Sequence, residues 1–210
     1  MDYIRIIFSD IFSDLKNYSI PALLFAVLIM GIRVLAMGVK IEKLPKKFWK
    51  MLKKSHIFRY EFLFAMYAFF IADKTLFSRT VIWENPLSLF MGDWILFPLS
   101  TQSNDIRGAE NIIFFIPYMF FFMGAFLNRI GRKKVRILLE SAYTALLTSF
   151  FIETSQLVFK VGTFQLSDLV YNTLGGLVGA GLYILWCKFH KRKKWKLLCI
   201  TNWIRFLCNM

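Results

Sequence analysis

The stretch 150–182, FFIETSQLVFKVGTFQLSDLVYNTLGGLVGAGL, decides how the chain is read. Two apolar segments meet there at a short polar elbow. Polar groups crowd the end of the first segment (Glu153, Ser155, Gln156) and the start of the second (Ser167, Asp168, Asn172). If both segments cross a bilayer, these groups lie near one membrane surface. Ionisable side chains at membrane depth are costly and mark a functional site by default.

Composition supports a bilayer. Of 210 residues, 57% are hydrophobic and only 19% charged, and the charges sit in blocks between long apolar runs. Runs of about 20 apolar residues read as membrane-spanning helices. The fold class is therefore all-α, a polytopic bundle of about five spans. The N-terminal segment 1–19 begins without a basic region and lacks a cleavage site, so it reads as an interfacial helix rather than a secretory signal. A first span follows at 20–39, interrupted by Arg33. A basic amphipathic linker at 40–57 has Phe48, Trp49, Leu52 and Ile57 among its lysines, as a helix on anionic headgroups would. The membrane domain, 58–187, holds spans at 58–77, 110–127, 137–159 and 168–187. Its outer loop, 78–108, carries Trp83, Pro86, Trp94 and Pro98, suited to the aromatic interfacial belt. Pro117 predicts a kink in the third span. The tail, 188–210, is basic and too short to span, and a second interfacial helix is expected in it.

Charge sets the orientation. The net charge is +14, and nineteen of the 27 Lys and Arg residues fall in the segments after spans one, three and five. These include Lys40–Arg59, Arg129–Arg136 and Lys188–Lys196. The positive-inside rule then puts the N-terminus outside, the C-terminus inside and the elbow outward. Because the cations flank spans and form no patch on a soluble unit, no nucleic-acid partner is expected. Membrane lipids, with anionic headgroups at the cytoplasmic face, are expected instead. Cys187, Cys199 and Cys208 form no CxxC pair, and His56 and His190 each lie in a basic block, so neither a metal site nor a cofactor is predicted.

Ser141, Ala145, Ser149, Glu153 and Gln156 recur at spacings of four and three, one stripe of a helix. The last span answers with Asp168, Asn172, Gly175, Gly176 and Gly179. Gly175/Gly179 and Gly176/Ala180 are small-xxx-small pairs that allow close helix packing. The short turn makes the fourth and fifth spans antiparallel neighbours, with glycine contacts between them and carboxylates grouped above. Asn111, at the mouth of the third span, and Lys74 or Arg79, at the end of the second, are placed to join the cluster. Such amides and hydroxyls often only tie helices together, for about 0.6 kcal/mol each. Glu153 with Asp168 could also hold a divalent cation, serve as acid and base, or bond a headgroup sugar or phosphate. Two carboxylates alone do not choose among these. No GxSxG, HExxH or P-loop is present, so catalysis stays open, with Glu153 and Asp168 as its candidates.

Three segments carry a family resemblance. ENIIFFIPY at 110–118 supplies Asn111, Phe115 and Pro117 in an N-x-x-x-F-x-P pattern. Glu153 and Gln156 form E-x-x-Q, and Asp168, Asn172 and Gly175 form D-x-x-x-N-T-x-G. With Asn85-Pro86 before the third span, this resembles the VanZ-like family of bacterial integral membrane proteins over roughly 60–186. Met119, Thr163 and Ser167 depart from it, where glycine, arginine and a second acid are frequent. The resemblance implies a multi-pass protein of the bacterial plasma membrane that influences susceptibility to glycopeptide or lipoglycopeptide antibiotics of the teicoplanin type. It points to a lipid-linked cell-wall component or the lipoglycopeptide as ligand, bound through Asn111, Glu153, Gln156, Asp168 and Asn172. An intramembrane enzyme acting on a lipid headgroup is the alternative. A small transporter or flippase ranks third, since no internal repeat appears and the polar groups sit at one end.

Overall fold

In lipid, long apolar runs leave the backbone only helix as a way to satisfy its polar groups. The computed structural model describes residues 2–81, 103–126 and 134–189, among which there is no strand. Helix α1 spans Asp2–Ala36 and α2 Leu44–Lys54, with a 3₁₀ turn, Ile41–Lys43, between them. Helix α3 covers His56–Ala72 and continues as a π-helical turn, Asp73–Phe77. Helices α4 (Ser103–Ala125), α5 (Lys134–Val158) and α6 (Leu166–Phe189) complete the described chain. The loop bearing Trp83, Asn85-Pro86, Trp94 and Pro98 lies outside the described residues. So do the basic turn at 129–133 and the tail from 190, with Cys199 and Cys208.

Four helices contain stretches long and apolar enough to cross a membrane: Lys16–Ala36, Gly108–Ala125, Val135–Val158 and Leu166–Phe189. The remaining expected span, 58–77, corresponds to α3 with its π turn. The 17 α-helical residues of α3 rise only about 25 Å. Boundaries differ from the sequence reading in two places. α1 runs unbroken through Pro21, so the segment expected at 1–19 and the first span form one continuous helix. α4 begins at Ser103, about two turns before the expected 110, and continues through Pro117.

In space the helices follow the order α1, α3, α4, α6, α5, each packed on the next, so α4 and α6 form the centre. The core between them is aromatic. Phe64 lies 5.3, 5.5 and 5.4 Å from the ring centres of Tyr118, Phe122 and Phe126, and Tyr60 lies 6.0 Å from Tyr183. Gly124 lets the Tyr60 ring lie against the α4 backbone, because a Cβ there would fall inside that ring. The opposite faces of α1 and α5 leave Leu24, Leu28, Tyr143, Phe150 and Phe151 exposed. In water so large an apolar surface would be a liability, whereas lipid solvates it.

The inner faces of α1 and α3 are joined by a buried ion pair between Arg33 and Glu61, and Glu61 is 6% exposed. Helix α2 packs Leu44, Phe48, Met51 and Leu52 against Met30, Val34 and Phe58. It leaves Lys46, Lys47, Lys50, Lys53 and Lys54 exposed.

Candidate functional site

Small residues bring the last helix close to its neighbours, and this proximity builds the site. A Cβ on Gly175 would overlap the Ile112 carbonyl, one on Gly179 the Ile116 carbonyl, and one on Gly176 the Ala145 methyl. Gly176 therefore faces the fourth span, as the sequence suggests. Gly175 and Gly179 instead face α4, the third span, a correction to the expected pairing. The reason is rotational: positions 175 and 176 lie about 100° apart around a helix, so they meet different neighbours.

The stripe on α5 turns inward throughout. Ser141, Ala145 and Ser149 are fully buried, Glu153 is 2% exposed and Gln156 4%. Helix α5 ends in a Schellman-type turn, with Val161 N–H donating to the Gln156 carbonyl (2.9 Å) and Lys160 left-handed at φ 55°. The chain then reverses so tightly that a Cβ on Gly162 would stand 2.8 Å from an Arg79 guanidinium nitrogen. Glu153 braces this elbow by accepting the Gln165 N–H at 3.0 Å, just before α6 begins. A carboxylate beside a helix N-terminus also meets the positive end of the helix dipole.

At this end of the bundle the close of α3 with its π turn, the start of α4, the end of α5 and the start of α6 enclose a cavity of ≈ 90 Å³. Its wall brings together all five residues singled out as ligand-binding: Asn111, Glu153, Gln156, Asp168 and Asn172. Lys74 and Arg79 are on the same wall. The π turn carries Lys74 and Thr75, and one extra residue per turn of this kind often re-aims side chains at functional sites. Lys74 donates to Glu110 at 3.3 Å and lies 4.0 Å from the Phe114 ring centre. Gln156 donates its amide to the Thr75 carbonyl at 3.3 Å, which ties α5 to the π turn. Glu153 lies within electrostatic reach of both Asp168 and Arg79. Asn172, 4% exposed, donates to Ser149 Oγ at 2.8 Å, and the Ser149 hydroxyl donates to the Asp168 carbonyl at 3.4 Å.

Several further residues line the wall. Glu110, Thr75 and Gln165, which the sequence reading does not assign to a site, contribute polar groups with Thr163, while Phe70, Phe114, Phe115 and Ile152 supply apolar surface. Glu110 is signalled by its place beside Asn111 at the opening of an apolar span. Thr75 has no such signal, because a π turn leaves no clear pattern in sequence. The described His, Cys, Asp and Glu residues form no group of three that could hold a metal ion, so Glu110, Glu153 and Asp168 do not converge on one point.

The model of the VanZ/LLP1 family matches residues 22–187, which include the whole cavity wall. Protein VanZ of Enterococcus faecium is 32% identical over 129 residues, 57% of this chain and 76% of that protein. No solved structure matches the chain. By sequence over most of its length, and over every residue that builds the cavity, this membrane protein belongs to the VanZ/LLP1 family.

Proposed function

We propose that the protein acts in the bacterial cell membrane to influence susceptibility to glycopeptide or lipoglycopeptide antibiotics of the teicoplanin type, by binding a lipid-linked or surface component in this cavity. The observation that carries the proposal is the concentration of buried polar groups at one level. Glu153, Gln156 and Asn172 are each at most 4% exposed and line one cavity between helices. Holding helices together requires far less. Orientation follows the charge. The C-terminal ends of α4 and α6, which lead in sequence into basic segments, are remote from the residues of those helices that line the cavity. Five spans with the N-terminus outside would open the cavity outward. The exposed lysines of α2 would then meet anionic headgroups on the cytoplasmic side, each contributing about 1 kcal/mol.

The test uses isosteric changes. Glu153→Gln and Asp168→Asn keep size and most hydrogen bonding while deleting charge. Both variants should reach the membrane at normal abundance and lose the effect on drug susceptibility. Full effect at wild-type abundance in the pair would remove the cavity from the function.

A further inference from the structure

Helix α2 joins two membrane helices with little slack at either end. The chain leaves α1 through a left-handed Gly38 (φ 78°) and one 3₁₀ turn, and only Ser55 separates α2 from α3. Ser55 N–H donates to the Met51 carbonyl at 2.8 Å, and Ser55 Oγ accepts the Phe58 N–H at 3.2 Å. Arg59 donates to the Lys53 carbonyl at 3.1 Å, closing the end of α2 onto α3. Phe48 meets Phe58 and Phe62 edge-on, at 5.4 and 6.2 Å between ring centres. A free surface helix sinks its apolar face into lipid. Here that face is used inside the protein, and the basic face is what remains for the bilayer.

The basic face is electrostatically unfavourable by itself. Lys46, Lys47, Lys53 and Lys54 occupy every i±3 and i±4 position around Lys50, and like charges at these spacings repel. The first turn of α2 has no acidic residue, so its lysines face the positive end of the helix dipole. All five lysines are exposed, and among the described residues none of them forms an ion pair. A helix of 11 residues has little intrinsic stability to set against this repulsion. Trp49 borders the basic face, 57% exposed, with Lys53 Nζ 5.0 Å from its ring centre. Exposed tryptophan beside lysine suits the headgroup layer of a membrane.

We propose that anionic phospholipid, bound along Lys46, Lys50 and Lys53, is a structural partner that holds α2 onto α1 and α3. These three lysines share one strip of the helix by their spacing of four and three. The proposal deepens the reading in which the lysines of α2 meet headgroups, and rests on it. The step beyond contact is need: lipid phosphate cancels a repulsion that the described chain leaves uncompensated. The partner is lipid because α2 is tied at both ends to membrane helices, which keeps its lysines at the bilayer surface.

The full chain would be placed in phosphatidylcholine nanodiscs with increasing phosphatidylglycerol, and thermal unfolding followed at low and high salt. Tm should rise by at least about 4 °C with phosphatidylglycerol, and at least half of that gain should vanish in about 1 M salt. The triple variant Lys46→Gln, Lys50→Gln, Lys53→Gln keeps helix propensity. It should match or exceed the unaltered chain in pure phosphatidylcholine, where only repulsion is removed, and should lose most of the gain. Lys50→Gln alone relieves all four close pairs and keeps the test decisive if the triple variant does not fold. In the basic tail, Lys191→Gln with Lys193→Gln and Lys194→Gln should leave the gain in place. A Tm indifferent to phosphatidylglycerol, a gain undiminished by salt, or the full gain in the triple variant overturns the proposal. An equal gain from soluble tripolyphosphate in phosphatidylcholine discs would make the partner a soluble polyanion and overturn it too. Both faces of a disc carry the same lipid, so this result is independent of orientation, which Lys53→Cys labelling reads separately. The susceptibility of cells carrying Glu153→Gln or Asp168→Asn decides the cavity, whichever way α2 responds.

Discussion

Gly179 and Gly181 lie two residues apart on α6, and the structure predicts opposite outcomes when each becomes alanine. A Cβ on Gly179 would overlap the Ile116 carbonyl and crowd Ile116 Cα at 3.2 Å. These are backbone atoms, which cannot swing aside. Relief requires the two central helices to separate, and overpacking of this kind costs about 1–3 kcal/mol. Alanine gains at most about 1 kcal/mol over glycine in a helix interior. The net expectation for Gly179→Ala is a loss of about 1–2 kcal/mol, or a drop in Tm of about 2–8 °C for a chain of this size. A methyl group at Gly181 would meet nothing within 4 Å, so Gly181→Ala should leave Tm unchanged or raise it by up to about 4 °C. Thermal unfolding in one detergent, followed by size-exclusion chromatography of a fluorescent fusion, compares them directly. Gly175→Ala should behave like Gly179→Ala, and the double variant should lose less than the sum because both crowd one interface. A Gly179→Ala protein as stable as Gly181→Ala would show that α4 and α6 do not meet at these carbonyls.

Glu61→Gln strips the ion pair from Arg33, whose side chain is 22% exposed; a loss near the low end of the range for buried pairs, about 3 kcal/mol, is expected in thermal unfolding, and Arg33→Met with Glu61→Leu should restore most of it. Ser149→Ala leaves the Asn172 amide N–H buried without its acceptor and should lower stability by about 1–3 kcal/mol, more than truncation of the nearby exposed Leu147 to alanine. Topology is checked by single cysteines in a cysteine-free background: Thr163→Cys should react with an impermeant reagent on intact cells and Lys53→Cys only after permeabilisation, and the reverse pattern would close the outward cavity.

Much of the bundle was legible because lipid leaves few options. Apolar runs of span length can only be helices there, and the spacing Ser141–Ala145–Ser149–Glu153 marks one inward face whatever the partner. Sequence does not carry the identity of that partner. Gly175 and Gly179 announce a close approach, yet whether α4 or α5 makes it depends on the rotation of α6, which long-range packing sets. The continuous α1 has the same origin. Pro21 reads as a boundary locally, but a proline within a membrane helix is tolerated when its surroundings satisfy the freed carbonyl. The π turn at Asp73–Phe77 is the least visible feature, since one added residue leaves the apolar pattern almost intact while redirecting Lys74 and Thr75.

Glu153 shows why site and scaffold are hard to separate here. Its carboxylate receives the Gln165 N–H and so shapes the elbow, while its place on the cavity wall keeps it within the field of Asp168 and Arg79. A role confined to the elbow would require only an acceptor oxygen, which glutamine also has. A charge adds nothing to that role except a desolvation penalty. Asp168 sharpens the point, because a second carboxylate nearby raises that penalty further. Two carboxylates held on one wall with Arg79 exceed what shaping the elbow requires.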